Sequence, residues 1–179
     1  MSYDLSEHRH RFAIWAAARA AQRGFTTVRA LRDALQGTDI REVLSDPQTM
    51  QLSAAQFDAL HRRWCLSICS SLTGRRVKNV TYGRSAKLVA VYLKATVIMG
   101  DGCDSSFGRN LHPPIDRILL KALAGSRVES PHKAEWGSIN WTQLNEPHYE
   151  RLIGQLRNAI PRDAPFWTIE EYWEPSDSV

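Results

Sequence analysis

Apolar residues recur along most of the chain at three- and four-residue spacing, the period of a helix that buries one face. Phe12, Trp15, Ala16 and Ala20 fall on one side of a first helix from Ser6 to Gln22, with Gly24 as its stop. Val28, Leu31 and Leu35 point inward from a second helix that starts at Thr26 or Thr27 and ends at Gly37. Asp39 caps a short turn through Leu44, and Pro47 breaks it. Ser53 and Gln56 have the spacing of a capping box. They open a long helix with the stripe Phe57, Leu60, Trp64, Ile68 and Leu72, closed by Thr73 and Gly74.

A connector, 75–81, precedes a further helix from Gly83 to Met99, apolar at Leu88, Val91, Ala95 and Ile98. The β-branched Val89, Val97 and Ile98 leave a strand open there, but the length and the polar Lys87 and Lys94 favour helix. The stretch 101–110 reads as a loop. Pro113 and Pro114 stiffen the entry to a helix from Ile115 to Leu123, ended by Gly125. The stretch 126–139 looks irregular. Asn145 or Asn140 caps a helix through Ile160, with Leu152, Ile153, Leu156 and Ile160 facing in. Thr168 and Glu171 repeat the capping-box spacing for a short last helix. No strand–turn–strand pattern occurs. The expectation is an all-α fold, a compact single-domain bundle of roughly seven or eight helices. Within that domain, 1–72 supplies the N-terminal helices, 73–124 a hairpin-like element with the chemistry-bearing residues, and 125–179 the C-terminal helices and an acidic tail.

Composition narrows the class. Apolar residues make up 43% and charged residues 23% of 179, which argues for a packed core and against disorder. No run of about 18 apolar residues is present, so no membrane span or membrane partner is expected. The first residues, MSYDLSEHRHRF, lack the apolar centre of a secretory signal. Three cysteines are too few for a disulfide scaffold, and a reducing cytoplasm is the default. Cys65 and Cys69 are i,i+4 neighbours in an apolar context and read as core.

Charge adds more by its placement than by its net value of +4. Arg75, Arg76, Lys78, Arg84, Lys87 and Lys94 lie between Ser71 and Gly100 with no acidic residue among them. Five acidic residues and no basic one follow from Asp163 to Val179. Arg9, Arg11, Arg19 and Arg23 give the first helix a basic side, by default a solvated one and otherwise a second face for DNA.

The segment YGRSAKLVAVYLK…LHPPIDRILLKAL concentrates the chemistry. Gly83 allows close backbone approach, and the amides at the helix start suit an anion such as phosphate. Lys87 lies one turn in, on the polar side, with Arg84, Arg75 and Arg76 nearby. Neighbouring cations and a helix N-terminus both disfavour a protonated lysine and free its amine as a nucleophile. Asp116 stands at the mouth of the next helix, where its carboxylate caps amides or faces a site. From spacing alone the plainer reading prevails: a solvated lysine and an ordinary N-cap.

The order Gly83-x-x-x-Lys87, apolar helix, then Pro-Ile-Asp116 at the next helix start resembles the helix-hairpin-helix superfamily of DNA glycosylases. Its 8-oxoguanine and endonuclease III branches are similar over about 77–124. The resemblance implies an all-α enzyme that flips a nucleotide out of double-stranded DNA and cleaves its N-glycosidic bond. It implies Lys87 as the nucleophile that forms a Schiff base at the sugar C1′, and Asp116 as the acid that supports the sugar cation. It implies phosphate contacts by Gly83 with Arg75, Arg76, Lys78 and Arg84. Lys94, seven residues from Lys87 and on the same face, is a DNA contact or the rival nucleophile. Oxidised bases, or hypermodified bases in phage DNA, are the implied targets, in repair or in antiviral defence.

The chain departs from that family in having one hairpin glycine, in the 29-residue separation of Lys87 from Asp116, and in lacking a four-cysteine cluster pattern. No cofactor is expected, and no histidine has a metal-ligand spacing. Most of the tryptophans and tyrosines read as core. Trp136 and Trp141 flank an irregular segment where an aromatic can stack on an extruded base, and His112 lies close enough in sequence to line the same site. A monomer is expected. The alternative function is a non-enzymatic helical module that binds DNA or a protein.

Overall fold

The computed structural model describes residues 3–174, and all regular structure among them is helical. The α-helices are α1 (Leu5–Gln22), α2 (Val28–Gln36), α3 (Ile40–Ser45), α4 (Ala54–Gly74), α5 (Tyr82–Leu93), α6 (Ser106–Arg109), α7 (Arg117–Gly125), α8 (Lys133–Trp136) and α9 (Glu146–Arg157). A π-helical segment, Lys94–Ile98, continues α5. Short 3-10 turns cover Pro47–Gln51, Trp141–Gln143 and Phe166–Tyr172. Among the described residues no helix is long and apolar enough to cross a membrane.

Local chemistry sets most helix starts. The side chains of Asp4, Thr27, Thr81, Asp116 and Asn145 each accept a backbone N–H of the first turn, of α1, α2, α5, α7 and α9 in order. Ser53 and Gln56 form the full capping box of α4. Both candidate asparagines cap, but at different elements: Asn140 opens the Trp141–Gln143 turn. Four local expectations change. Asp39 makes no cap bond to α3; its carboxylate accepts instead from Arg63 and from the Trp64 indole N–H. The stretches 101–110 and 126–139 hold the single-turn helices α6 and α8, which are too short to show a hydrophobic period. Thr168 forms no capping box; its hydroxyl donates to the Pro165 carbonyl inside the 3-10 segment.

The bundle is organised around α5. Tyr82, Gly83, Ser85, Ala86, Lys87, Leu88, Val89, Ala90, Tyr92 and Leu93 are all buried, so this helix is covered on most of its circumference, with Arg84 and Val91 half-buried. It packs on α1, α4, α9 and the Trp141–Gln143 turn. The face of α1 that meets it is small: Ala13, Ile14, Ala17, Ala18 and Ala21. Alanines at these spacings let two helix backbones approach closely. Phe12 and Trp15, expected on the buried face, are instead 53% and 54% exposed. Volume decides this choice, because an indole does not fit between closely packed helices.

A second cluster joins α4 to α9. His61 stacks on Tyr149 with centroids 5.5 Å apart, and His112 packs edge-on against Phe57. The neutral His112 ring donates from Nε2 to Asp58 Oδ1 at 3.0 Å and accepts from the Tyr149 hydroxyl at Nδ1. Arg157 donates both terminal nitrogens to Asp58, each at 2.7 Å. Cys65 is buried here as core, and burial pushes its thiol up.

These groups couple stability to pH. Burial works to raise the Asp58 carboxyl, but Arg157 and His112 prevail and hold it well below the usual aspartate value of 3.8. Burial holds His61 and His112 below the usual 6.5. Below 6.5 the unfolded chain binds protons at both histidines and the folded chain does not, so stability falls with pH. The Asp58 contribution is complete above 3.8 and is lost as pH falls through its lower folded-state value. The unfolding midpoint, followed by circular dichroism from about pH 7 down to about pH 1.5, is therefore expected to drop in two limbs. His61→Phe should flatten the upper limb and Asp58→Asn the lower; a midpoint independent of pH would contradict the assignment.

Candidate functional site

The site begins with a close backbone approach. A Cβ on Gly83 would lie 2.2 Å from the Trp141 carbonyl oxygen, so only glycine lets the Trp141–Gln143 turn cross the start of α5. The Gly83 N–H donates to the Leu144 carbonyl at 2.9 Å. This crossing sets the Trp141 ring 4.6 Å from Lys87 Nζ, a cation–π distance.

Lys87 is carried into the protein by the burial of α5 and is only 4% exposed. Its partner is Asp116, 6% exposed, whose Oδ2 accepts from Lys87 Nζ at 3.0 Å. The other oxygen, Oδ1, accepts from the Leu119 N–H at 2.9 Å as the N-cap of α7. The helix start thus orients the carboxylate and leaves one oxygen for the lysine. Trp173, from the C-terminal segment, donates its indole N–H to that same Oδ2 at 3.1 Å.

A second lysine–carboxylate pair stands beside the first. Lys94 bonds Glu170, and its Nζ lies 5.9 Å from the Trp173 ring centroid. Both pairs line one open cleft of about 460 Å³. Its walls are Phe12, Ala16, Arg19, Ala20 and Arg23 of α1, together with Val91, Ala95, Met99, Pro114 and Trp173. The floor is therefore charged and the walls are mainly apolar.

Burial tunes the buried pair. Desolvation pulls the Lys87 amine below the ordinary lysine value, against the opposing pull of Asp116; Arg23 adds slightly to the lowering. Burial alone would raise Asp116, but the Lys87 charge, the Leu119 N–H and the Lys87 and Trp173 hydrogen bonds hold it below the usual carboxylate range. Burial raises Glu170 despite its bond to Lys94. A lysine of lowered pKa against an oriented carboxylate, at the bottom of a cleft, can act as a nucleophile with its own proton acceptor.

The sequence-predicted residues divide. Lys87, Asp116 and Lys94 line the cleft together, and Trp141 lies under Lys87. The others stand elsewhere. Lys87 is buried rather than on a polar face, and desolvation rather than a cation cluster dominates its shift. Arg75 pairs with Asp33 of α2 at 3.1 Å. Arg76 and Lys78 are exposed on the connector outside the cleft. Arg84 stacks its guanidinium 4.3 Å over Phe25, with buried Nε and Nη1 lacking a hydrogen-bond partner among the described residues. Gly83 lies inside the first turn of α5 with its amide already bonded, so it offers no phosphate cradle. His112 belongs to the Asp58–Arg157 cluster, and Trp136 is fully buried with its N–H on Gln155. Sequence reasoning missed Glu170 and Trp173, whose partners Lys94 and Asp116 lie 76 and 57 residues away in sequence and leave no local signal.

Comparison with protein-family models, curated proteins and solved structures gives no match.

The pair's energetics can be tested without a substrate. Lys87→Met leaves a buried carboxylate unpaired and is expected to cost about 3–5 kcal/mol in denaturant unfolding. Asp116→Asn keeps an acceptor for the Leu119 N–H but strands the ammonium, with a similar loss. The double variant should recover most of that loss, since a neutral pair needs no desolvated charge. Additive losses in the double variant would mean that the two groups are not coupled.

Proposed function

We propose that the chain is a DNA glycosylase with associated lyase chemistry, acting on a nucleotide extruded from double-stranded DNA. The observation that carries this reading is the buried Lys87–Asp116 pair, 3.0 Å apart at the bottom of an open, largely apolar cleft. A cleft of about 460 Å³ is within the usual range for a small organic ligand. Trp173 in its wall offers a ring to a base, and Arg19 and Arg23 offer charge to flanking phosphates.

The chemistry balances with these two side chains. Asp116 takes a proton from the Lys87 ammonium, leaving a neutral amine and a neutral acid. The amine nitrogen attacks C1′ as the bond from C1′ to the base nitrogen breaks. The departing base takes its electron pair and then the proton from Asp116, which returns to carboxylate and faces the new cationic N,O-acetal. Loss of the N–H proton from that nitrogen to the ring oxygen opens the sugar and leaves an iminium, the species that hydride reduces. A low local dielectric strengthens the interaction between the carboxylate and the developing sugar charge. A damaged base in repair, or a hypermodified base in anti-phage defence, is the substrate class.

A second reading, a non-enzymatic helical module for DNA or protein, is favoured by one feature: Lys87, Asp116 and Trp173 already satisfy one another.

Borohydride trapping separates the readings. The protein is incubated with duplexes carrying abasic sites, oxidised bases or glucosylated cytosine and then reduced. A covalent adduct is expected, absent in Lys87→Ala, with the rate in Asp116→Asn lowered by at least about 100-fold. An adduct kept by Lys87→Ala and lost in Lys94→Ala moves the nucleophile to Lys94. DNA binding with a salt slope but neither adduct nor abasic product supports the binding module.

A further inference from the structure

The exposed face of α1 is built unlike the rest of the surface. From His8 to Arg32 the chain carries six arginines and no acidic residue. Arg11, Trp15 and Arg19 follow one another at four-residue spacing on one line of the helix, and all three are exposed. Phe12 and Arg23 flank that line, also exposed. The Phe12 and Trp15 rings sit side by side, centroids 6.0 Å apart and tilted by 41°. Two large aromatics, each more than half exposed, stand in water because α5 accepts only small residues on the other side of α1. Arg19 and Arg23 make no ion pair among the described residues, while Arg11 is paired with Glu7 at the edge.

We infer that this ridge docks an unpaired strand of DNA, with Phe12 and Trp15 stacking on its bases and Arg11, Arg19 and Arg23 holding its phosphates. Charge selects a polyanion, since past Glu7, which pairs with Arg11 at its edge, the charged residues of the face are all arginines and Arg19 and Arg23 are without an ion pair among the described residues, so it repels a basic partner and gains from counterion release on a phosphate chain. The aromatics select an unpaired strand, since the bases of a duplex are stacked on each other and present no free ring face to a convex helix. Arginine over lysine fits as well, because a guanidinium both grips phosphate and stacks. The ridge is continuous with the cleft: Phe12, Arg19 and Arg23 line both. A strand opened beside an extruded nucleotide and lying along α1 therefore leads that nucleotide towards Lys87. The choice of DNA over RNA rests on the glycosylase reading; the ridge itself does not.

The test is equilibrium binding of the full chain to a fluorescein-labelled oligothymidine of about twenty nucleotides, and to a duplex of the same length. Salt is varied from about 50 to about 200 mM. The single strand is expected to bind more tightly than the duplex. Phe12→Ala with Trp15→Ala should weaken the single strand by about tenfold or more and leave the salt slope unchanged. Arg19→Ala with Arg23→Ala should reduce the slope by about 0.7 for each lost phosphate contact. All four positions are exposed, and thermal melts of the variants check that the bundle is intact. Aromatic variants that bind as the native chain does would overturn the ridge, as would preference for the duplex. Self-association that disappears with Trp15→Ala, without any strand binding, would assign the aromatics to a second copy of the chain and also overturn it. Ordinary thymidines undergo no excision, so this readout is independent of turnover. Strand binding without a trapped adduct leaves the ridge standing and removes the glycosylase; a trapped adduct with indifferent ridge variants does the reverse.

Discussion

A lysine inside the most buried helix is the constraint on which the rest of the arrangement depends. α5 is covered on most of its circumference, and Lys87, at the bottom of the cleft, keeps only 4% exposure. A buried ammonium costs several kcal/mol unless a carboxylate and further hydrogen bonds meet it, as an order-of-magnitude rule of about that size. Asp116 meets it from the start of α7, held in place by the backbone that it caps. Trp173 occupies the remaining lone pair of Oδ2 and so brings the C-terminal segment across the cleft. Trp141 covers the lysine from the other side, and Gly83 makes room for the turn that delivers it. One charged side chain thereby ties together elements from the middle and the end of the sequence.

The same packing explains the shape of the cleft. An alanine face brings α1 close to α5, and the larger side chains of α1 are displaced to its outer side. They become the wall and rim of the cavity above Lys87 and Lys94. The two lysines share a cleft but not an environment. Lys87 is dry and its amine is lowered by desolvation, whereas Lys94 is about one-third exposed and bonded to Glu170. Differential burial, more than the identity of the partner carboxylate, sets Lys87 apart as the candidate nucleophile.

Much of this was legible in residue order. Caps at Thr27, Ser53, Asp116 and Asn145 act within three or four residues, so spacing alone places the helix starts. Lys87 and Asp116 stood out only through the resemblance of their segment to a glycosylase family, and Lys94 through its shared helix face; their spacing alone gave a solvated lysine and an ordinary cap. The one-turn helices α6 and α8 were not legible, since a single turn has no period to detect. Nor was the inward face of α1, where hydrophobicity favours Phe12 and Trp15 and volume excludes them. The phosphate-facing role of Gly83 failed for a tertiary reason: its amide is taken by Leu144, more than fifty residues away in sequence.

The sequence by itself therefore determined that the fold is all-α and where most of its helices begin. These follow from short-range backbone hydrogen bonding and hydrophobic period, which depend on near neighbours. Only the tertiary structure decided that Lys87 is buried, that Asp116 is its partner, that Glu170 and Trp173 complete the cleft, and that Arg75, Arg84, His112 and Trp136 serve elsewhere. Those outcomes depend on how closely helices approach and on which distant side chain satisfies a desolvated charge. Close packing and burial are properties of the assembled core, and no local window of sequence contains them.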